Sequence, residues 1–78
     1  MRDEIIRILE EIDPTVVYEQ CTTLVTDRYI NSLSMVALVP ELEDAFDVEI
    51  PAVEIIVQNF DSVDAIVALI TRLRDSEL

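Results

Sequence analysis

The chain contains no glycine in its 78 residues, and this absence limits the folds that it can form. The tight turns of an all-β domain need backbone conformations that glycine adopts at little cost, so such a domain is disfavoured here. Apolar residues make up 51% of the chain, and Leu, Ile, Ala, Glu and Val dominate its composition. We therefore predict one all-α domain spanning residues 1–78, a small four-helix bundle with three longer helices and one short helix.

The first and last helices are predicted from apolar residues that recur every three or four positions. The first covers about residues 3–12 and ends at Asp13-Pro14, because the residue before a proline is pushed out of the α region. The last follows Asp61, which we predict as its N-cap with Asp64 three residues on, and residues 75–78 are expected to fray. The predicted inner positions of these helices are Ile5, Ile8, Leu9 and Ile12, then Val63, Ile66, Val67, Leu69, Ile70 and Leu73.

No single period holds over residues 15–30, so we expect a long ordered loop there, with a short turn near residues 16–21. Asn31 is the predicted N-cap of the second helix. Pro40 removes one backbone bond from that helix and either kinks it or divides it. A short third helix is expected over residues 52–59, followed by a packed Phe60. The predicted inner positions are Met35, Val36, Val39, Leu42, Ala45 and Phe46 in the second helix, and Val53, Ile56 and Val57 in the third.

The charge of the chain restricts its partners. Seventeen acidic residues and five arginines give a net charge of −12. Nucleic acid and anionic membrane surfaces would repel such a chain, whereas proteins with basic patches would attract it. The longest apolar run, residues 65–70, is too short to span a bilayer, and the first residues lack the apolar run of a signal peptide. We expect a cytoplasmic monomer that neither binds nucleic acid nor inserts into a membrane.

Ser32 is the best candidate for a functional atom, because it lies where the loop becomes the second helix. Catalysis by a serine needs a base within hydrogen-bond reach, and the chain has no histidine and no lysine. With no histidine and one cysteine, metal sites built on these residues are excluded by count. We therefore expect neither an enzyme nor a metal protein, and Ser32 remains either a plain first-turn residue or an attachment point.

Three features together resemble the acyl carrier and peptidyl carrier proteins. These are Asn31-Ser32-Leu33 at a helix start, the apolar and then acidic helix that follows, and the Phe-x-x-x-Ile-Pro spacing that ends in Ile50-Pro51. The resemblance extends from the first helix to Leu73. It implies a 4′-phosphopantetheine arm on Ser32, supplied from coenzyme A by a phosphopantetheinyl transferase, with acyl or aminoacyl cargo held on the arm as a thioester. A helix N-terminus favours the phosphate of such an arm.

The same resemblance implies which residues meet partner enzymes, namely a cargo-loading ligase or acyltransferase and downstream biosynthetic enzymes with basic docking patches. Leu33 and Met35 match apolar contact positions, although Met35 as a core residue is an equal alternative. Glu43 and Asp44 match acids that pair with basic partner residues, and we add the neighbouring acids to this predicted recognition set. The full predicted set is Leu33, Met35, Glu41, Glu43, Asp44 and Asp47.

The chain also departs from the family pattern. Asn31 stands where the family usually has aspartate, and Ser34 and Ala37 stand where fatty-acid carriers commonly have acids. The pattern is closer to stand-alone carriers of dedicated pathways, such as D-alanyl carriers or carriers of polyketide and nonribosomal peptide biosynthesis. The alternative is a carrier-like interaction module that is not phosphopantetheinylated and acts only by docking.

Overall fold

The computed structural model describes residues 1–76, and within them the chain is helical with connecting loops. Residues 1–76 form four α-helices: α1 (Arg2–Ile12), α2 (Ser32–Phe46), α3 (Val57–Phe60) and α4 (Val63–Ser76). Two short 3₁₀ turns, Tyr18–Gln20 and Ala52–Glu54, lie in the connections. The predicted all-α bundle of three longer helices and one short helix is confirmed.

The core lies where α1 meets α2 and α4, with α3 packed on α4. The predicted inner faces of α1 and α4 are confirmed, since their positions are buried or packed against the core. Phe60 is fully buried, as predicted. Of the segment expected to fray, residues 75 and 76 continue α4, while residues 77 and 78 lie outside the described residues, so the fraying stays a prediction.

The long connection between α1 and α2 is ordered because it contributes to the core. Tyr18, Leu24 and Ile30 from this loop are buried, and the predicted short turn is the 3₁₀ turn at Tyr18–Gln20. The Tyr18 hydroxyl lies 2.7 Å from the carbonyl oxygen of Asp13 and 3.1 Å from that of Leu9, so it closes the end of α1. Burial raises the pKa of Tyr18 to about 12, and the nearby carboxylates of Asp13 and Glu10 make smaller contributions to this rise.

Asp61 does not cap α4 as predicted. The cap is the next residue, Ser62, whose Oγ accepts a hydrogen bond from the N–H of Ala65 at 3.0 Å. The carboxylate of Asp61 instead accepts bonds from the N–H groups of Val25 and Thr26, both at 2.8 Å, and from the Thr26 hydroxyl at 2.6 Å. These bonds lower the pKa of the Asp61 carboxyl, and the bond from the Thr26 hydroxyl contributes most. Asp61 therefore ties the loop before α2 to the start of α4.

The predicted inner face of α2 is partly wrong. Leu38 and Leu42 are its buried residues, and Met35, Val39 and Phe46 pack against the core. Val36, predicted to face inward, is 72% exposed, because 3.6 residues per turn place it about 120° around the helix from Leu42. Ala45, also predicted inward, is exposed as well.

Pro40 does not divide α2, which runs unbroken from Ser32 to Phe46. The missing bond is the one that residue 40 would donate to the carbonyl of Val36. Both Pro40 and Val36 are exposed, so water can satisfy the carbonyl that has lost its partner.

The third helix is also shorter than predicted, because residues 52–59 form a 3₁₀ turn and only the start of α3. The residues predicted to face inward here are exposed: Val53 by 81%, Ile56 by 45% and Val57 by 48%. A 3₁₀ turn and a four-residue helix do not keep the 3.6-residue period that the prediction assumed. This segment therefore presents apolar side chains to solvent.

Candidate functional site

Ser32 is the first residue of α2 and is exposed. Asn31 precedes it in an extended conformation and, as predicted, caps the helix, since its Oδ1 accepts a hydrogen bond from the N–H of Ser34 at 2.9 Å. The first turn of α2 contains no acidic residue. An exposed hydroxyl thus stands at the positive end of a helix dipole, where a negatively charged group is favoured.

The loop before Ser32 holds that position in place. Ile30 is buried, and its N–H donates to the carbonyl of Leu24 at 2.8 Å. The N–H of Leu24 in turn donates to the carbonyl of Asp61 at 2.8 Å. A chain of backbone bonds therefore connects the residue before the cap of α4 to the residue two positions before Ser32, so the serine follows a segment that is anchored in the core.

A cavity of about 800 Å³ lies beside Ser32. The loop before α2 and the first turns of α2 form most of its wall, and Ile55, which follows the 3₁₀ turn at Ala52–Glu54, also lines it. The cavity-lining residues are Val25, Arg28, Ile30, Asn31, Ser32, Met35, Val36, Val39, Pro40 and Ile55. An apolar surface with one arginine is thus available next to the serine hydroxyl.

The segment that carries Ile55 is held by Glu54. Its carboxylate pairs with the Arg72 guanidinium at 2.6 Å, and Asn59 Nδ2 donates to the Glu54 carbonyl at 2.7 Å. The hydrogen bond from Arg72 is the main reason why the pKa of Glu54 is lowered. These contacts connect the 3₁₀ turn to α3 and α4, and so fix one wall of the cavity.

The exposed face of α2 changes character along its length. Leu33 is 83% exposed and Val36 is 72% exposed, and Pro40 is exposed one turn further on. Among the predicted recognition acids, Glu41, Asp44 and Asp47 are exposed and follow this apolar part. The face is therefore apolar near Ser32 and acidic near the end of the helix.

Two predicted recognition residues have structural contacts as well. Met35 is half-buried, packs against the core and lines the cavity. Glu43 is half-buried, and its Oε2 accepts a bond from the N–H of Ile50 at 2.9 Å. Its carbonyl also accepts the N–H groups of Asp47 and Val48. Glu43 thus shapes the turn after α2, and its contact with a partner stays a prediction, as it does for the other recognition residues.

Several residues that the structure has in the exposed apolar surface or in the cavity wall were not placed there by the sequence analysis. Val36, Val53, Ile56 and Val57 were assigned to the core, and Arg28 was not considered. A helical-wheel plot of α2 with Leu42 placed at the centre of the buried face would have shown that Val36 faces outward. No comparable period exists for the 3₁₀ turn or for the loop that contains Arg28.

Comparison with known protein families gives one match. The family model described as "Phosphopantetheine attachment site" matches residues 30–70 of this chain. That interval begins at the end of the long loop, includes α2 and α3, and ends within α4. No curated protein and no solved structure matches the chain significantly.

Proposed function

This chain belongs to the phosphopantetheine attachment family, whose domains hold covalently bound 4′-phosphopantetheine, and from that membership we propose that Ser32 is the attachment residue. We further propose that the arm holds an acyl or aminoacyl group as a thioester and presents it to partner enzymes. The reactive thiol would belong to the arm, while the protein provides attachment, position and recognition.

The exposure of Ser32 carries this proposal. Three serines lie in the matched interval, and they differ in their surroundings. Ser34 is half-buried in the first turn of α2, and the Ser62 hydroxyl is engaged as the cap of α4. Ser32 combines an exposed side chain with the first position of a long helix. A transferase could therefore reach this hydroxyl without unfolding any part of the bundle.

The surroundings of Ser32 fit a phosphodiester followed by a largely apolar chain. The start of α2 favours the negative charge, because its first N–H groups lack partners within the helix. The cavity beside it offers Val25, Met35, Val39 and Ile55 to the less polar part of the arm or to its cargo. Contact with this wall would shield a thioester from water between encounters.

The acidic surface supports partners with basic docking patches. A net charge of −12 speeds encounter with such proteins through long-range attraction. On α2 the exposed acids begin at Glu41 and lie beyond the apolar part that flanks Ser32. We propose that a transferase, a loading ligase or acyltransferase, and downstream enzymes meet this face, with apolar contact near the serine and ionic contact further along the helix.

Mass spectrometry tests the attachment. Incubation with coenzyme A and a phosphopantetheinyl transferase should add the mass of one arm, and Ser32→Ala should abolish the gain. Ser34→Ala is a matched control in the same helical turn and should still be modified. No gain with several diverse transferases, or an undiminished gain in Ser32→Ala, would contradict the proposal.

The alternative of an unmodified interaction module is not favoured, since the match is to an attachment-site family. Domains of this family generally act as carriers rather than as catalysts, and the absence of catalysis by this chain is part of our proposal. Within residues 1–76, none of the helices is both long enough and apolar enough to cross a bilayer. The cytoplasmic location, the monomeric state and the carrier subtype stay predictions.

A further inference from the structure

We propose that Arg28 binds the phosphate of the arm on Ser32 and holds the arm's first segment against the cavity. This inference rests on the proposed attachment to Ser32. It adds a cationic ligand to a site whose other lining residues are uncharged.

Arg28 belongs to the wall of the same cavity as the attachment serine. Both residues line this space together with Asn31. Arg28 lies four positions before Ser32 in the sequence, and its backbone N–H donates to the carbonyl of Val25 at 3.0 Å. The loop on either side is tied to Asp61 through Val25 and to the core through Ile30. The base of the Arg28 side chain is therefore fixed beside the serine.

The guanidinium of Arg28 has no acidic partner among residues 1–76. The ion pairs formed there join Arg2 to Asp64 and Arg72 to Glu54. The adjacent acid, Asp27, already accepts the hydroxyl of Thr23 at 2.6 Å. In a chain with seventeen acids and five arginines, an exposed arginine without a carboxylate partner is available to another anion.

The segment around Ser32 lacks acidic side chains that would compete with a phosphate for Arg28. Residues 29–40 include no charged side chain, so the nearest acid of α2 in sequence is Glu41. A phosphodiester at Ser32 would thus meet one cation, Arg28, together with the N–H groups of the first turn of α2. Arginine suits this role because its planar guanidinium can donate two parallel bonds to phosphate oxygens.

Three variants separate the role of Arg28 from a general effect of charge. Arg28→Gln removes the cation, and Arg28→Lys keeps the charge but loses the paired donors. Arg7→Gln is the matched control, because Arg7 is exposed on α1, does not line the cavity, and its loss changes the net charge by the same amount. Each protein is prepared with and without the arm, and mass spectrometry confirms the loading.

Two readouts follow, neither of which depends on the activity of the loaded carrier. The first is the phosphorus-31 chemical shift of the phosphodiester. It should move in Arg28→Gln relative to the parent, move part of the way in Arg28→Lys, and stay unchanged in Arg7→Gln. The second is the change in unfolding midpoint caused by loading, which should be less favourable in Arg28→Gln than in the parent. This difference should shrink as salt is added, because the site is open to solvent.

The outcomes distinguish this inference from the attachment itself. If Ser32 gains no arm, both the proposed function and this inference are refuted. If the arm is gained but the phosphorus shift and the effect of loading are the same in Arg28→Gln and in the parent, the role of Arg28 is refuted while the attachment stands. A change of equal size in Arg7→Gln would likewise overturn a specific contact.

Discussion

Asn31 allows the start of α2 to be tested quantitatively, because a single side-chain bond caps the helix that carries Ser32, the proposed attachment residue. Its Oδ1 accepts the Ser34 N–H at 2.9 Å. Asn31→Ala removes this acceptor and should lower the free energy of unfolding by about 1 kcal/mol. In a domain of this size that loss corresponds to a fall in melting temperature of roughly 4–8 °C.

Asn31→Asp should act in the opposite direction. The carboxylate can accept the same bond and adds a negative charge at the positive end of α2, where the first turn has no acid to oppose it. The expected gain is about 0.3–1 kcal/mol at low ionic strength, and it should shrink as salt screens the interaction. The loss in Asn31→Ala should depend much less on salt, because it comes from a neutral hydrogen bond.

Thermal and urea unfolding followed by far-ultraviolet circular dichroism would measure both effects. Gln20 provides the matched control, since it is an exposed amide at the end of the first 3₁₀ turn. Gln20→Ala tests the loss of an amide, and Gln20→Glu adds the same charge without a cap. An unchanged stability in Asn31→Ala would refute the cap. An Asn31→Asp variant that is less stable than the parent at low salt would refute the dipole argument.

The same series reports on function. If the first turn of α2 must be formed for a transferase to use Ser32, Asn31→Ala should be modified more slowly than the parent and Asn31→Asp at least as fast. Initial rates of arm transfer at equal protein concentration would show this order. Equal rates in all three proteins would mean that the cap contributes to stability alone.

Three further perturbations test the fold that supports the site. Burial raises the pKa of Tyr18 from 10.0 to about 12. Its stabilising effect is therefore complete below pH 10 and is lost as the pH rises towards 12, a change on the order of a few kcal/mol at most. Alkaline urea titrations should show this loss, and Tyr18→Phe should not. Asp61→Asn should destabilise the loop at neutral pH and speed amide hydrogen exchange at Thr26. Because the folded pKa of Asp61 is lowered from 3.8, its contribution is present above that value and is lost as the pH falls through the lowered pKa. Val53→Ser should change the stability by less than about 0.5 kcal/mol, whereas Phe60→Leu should cost about 1 kcal/mol or more because Phe60 is fully buried.

Each of these tests has a contradicting outcome. Tyr29, the other tyrosine, is exposed, so a Tyr29→Phe background lets tyrosinate absorbance report Tyr18 alone, and a midpoint near its ordinary value would refute the burial argument. Exchange at Thr26 that is unaltered in Asp61→Asn would refute the tether. A large loss of stability in Val53→Ser would restore the original prediction that this valine faces the core.

Much of the fold was predictable from local patterns. The bounds of α1 and the inner faces of α1 and α4 follow a regular 3.6-residue period that a long amphipathic helix imposes on its sequence. Asn31 was identifiable as a cap because the capping preference depends on residues that are close in sequence. Ser32 was a candidate because of its place at that helix start and the resemblance to carrier proteins, and the family match over residues 30–70 supports the type of site.

The errors occurred where the pattern was short or where a contact is long-range. Val53, Ile56 and Val57 lie in a 3₁₀ turn and a four-residue helix, which have too few turns for a period to separate inside from outside. Asp61 has the residue type and position of a cap, but its three hydrogen bonds go to Val25 and Thr26, about 35 residues earlier. A local sequence pattern carries no information about a hydrogen-bond partner so far away in the chain.

The sequence by itself determined that this protein is a small helical bundle in which a capped helix starts at Ser32, because these properties depend on neighbours within one or two helical turns. Only the tertiary structure decided that Arg28, Ser32 and Ile55 surround one cavity. Their proximity comes from the anchoring of two separate loops, one to Asp61 and the other to Arg72. Folding of the whole chain brings these anchors together, and so the cavity exists only in the folded bundle.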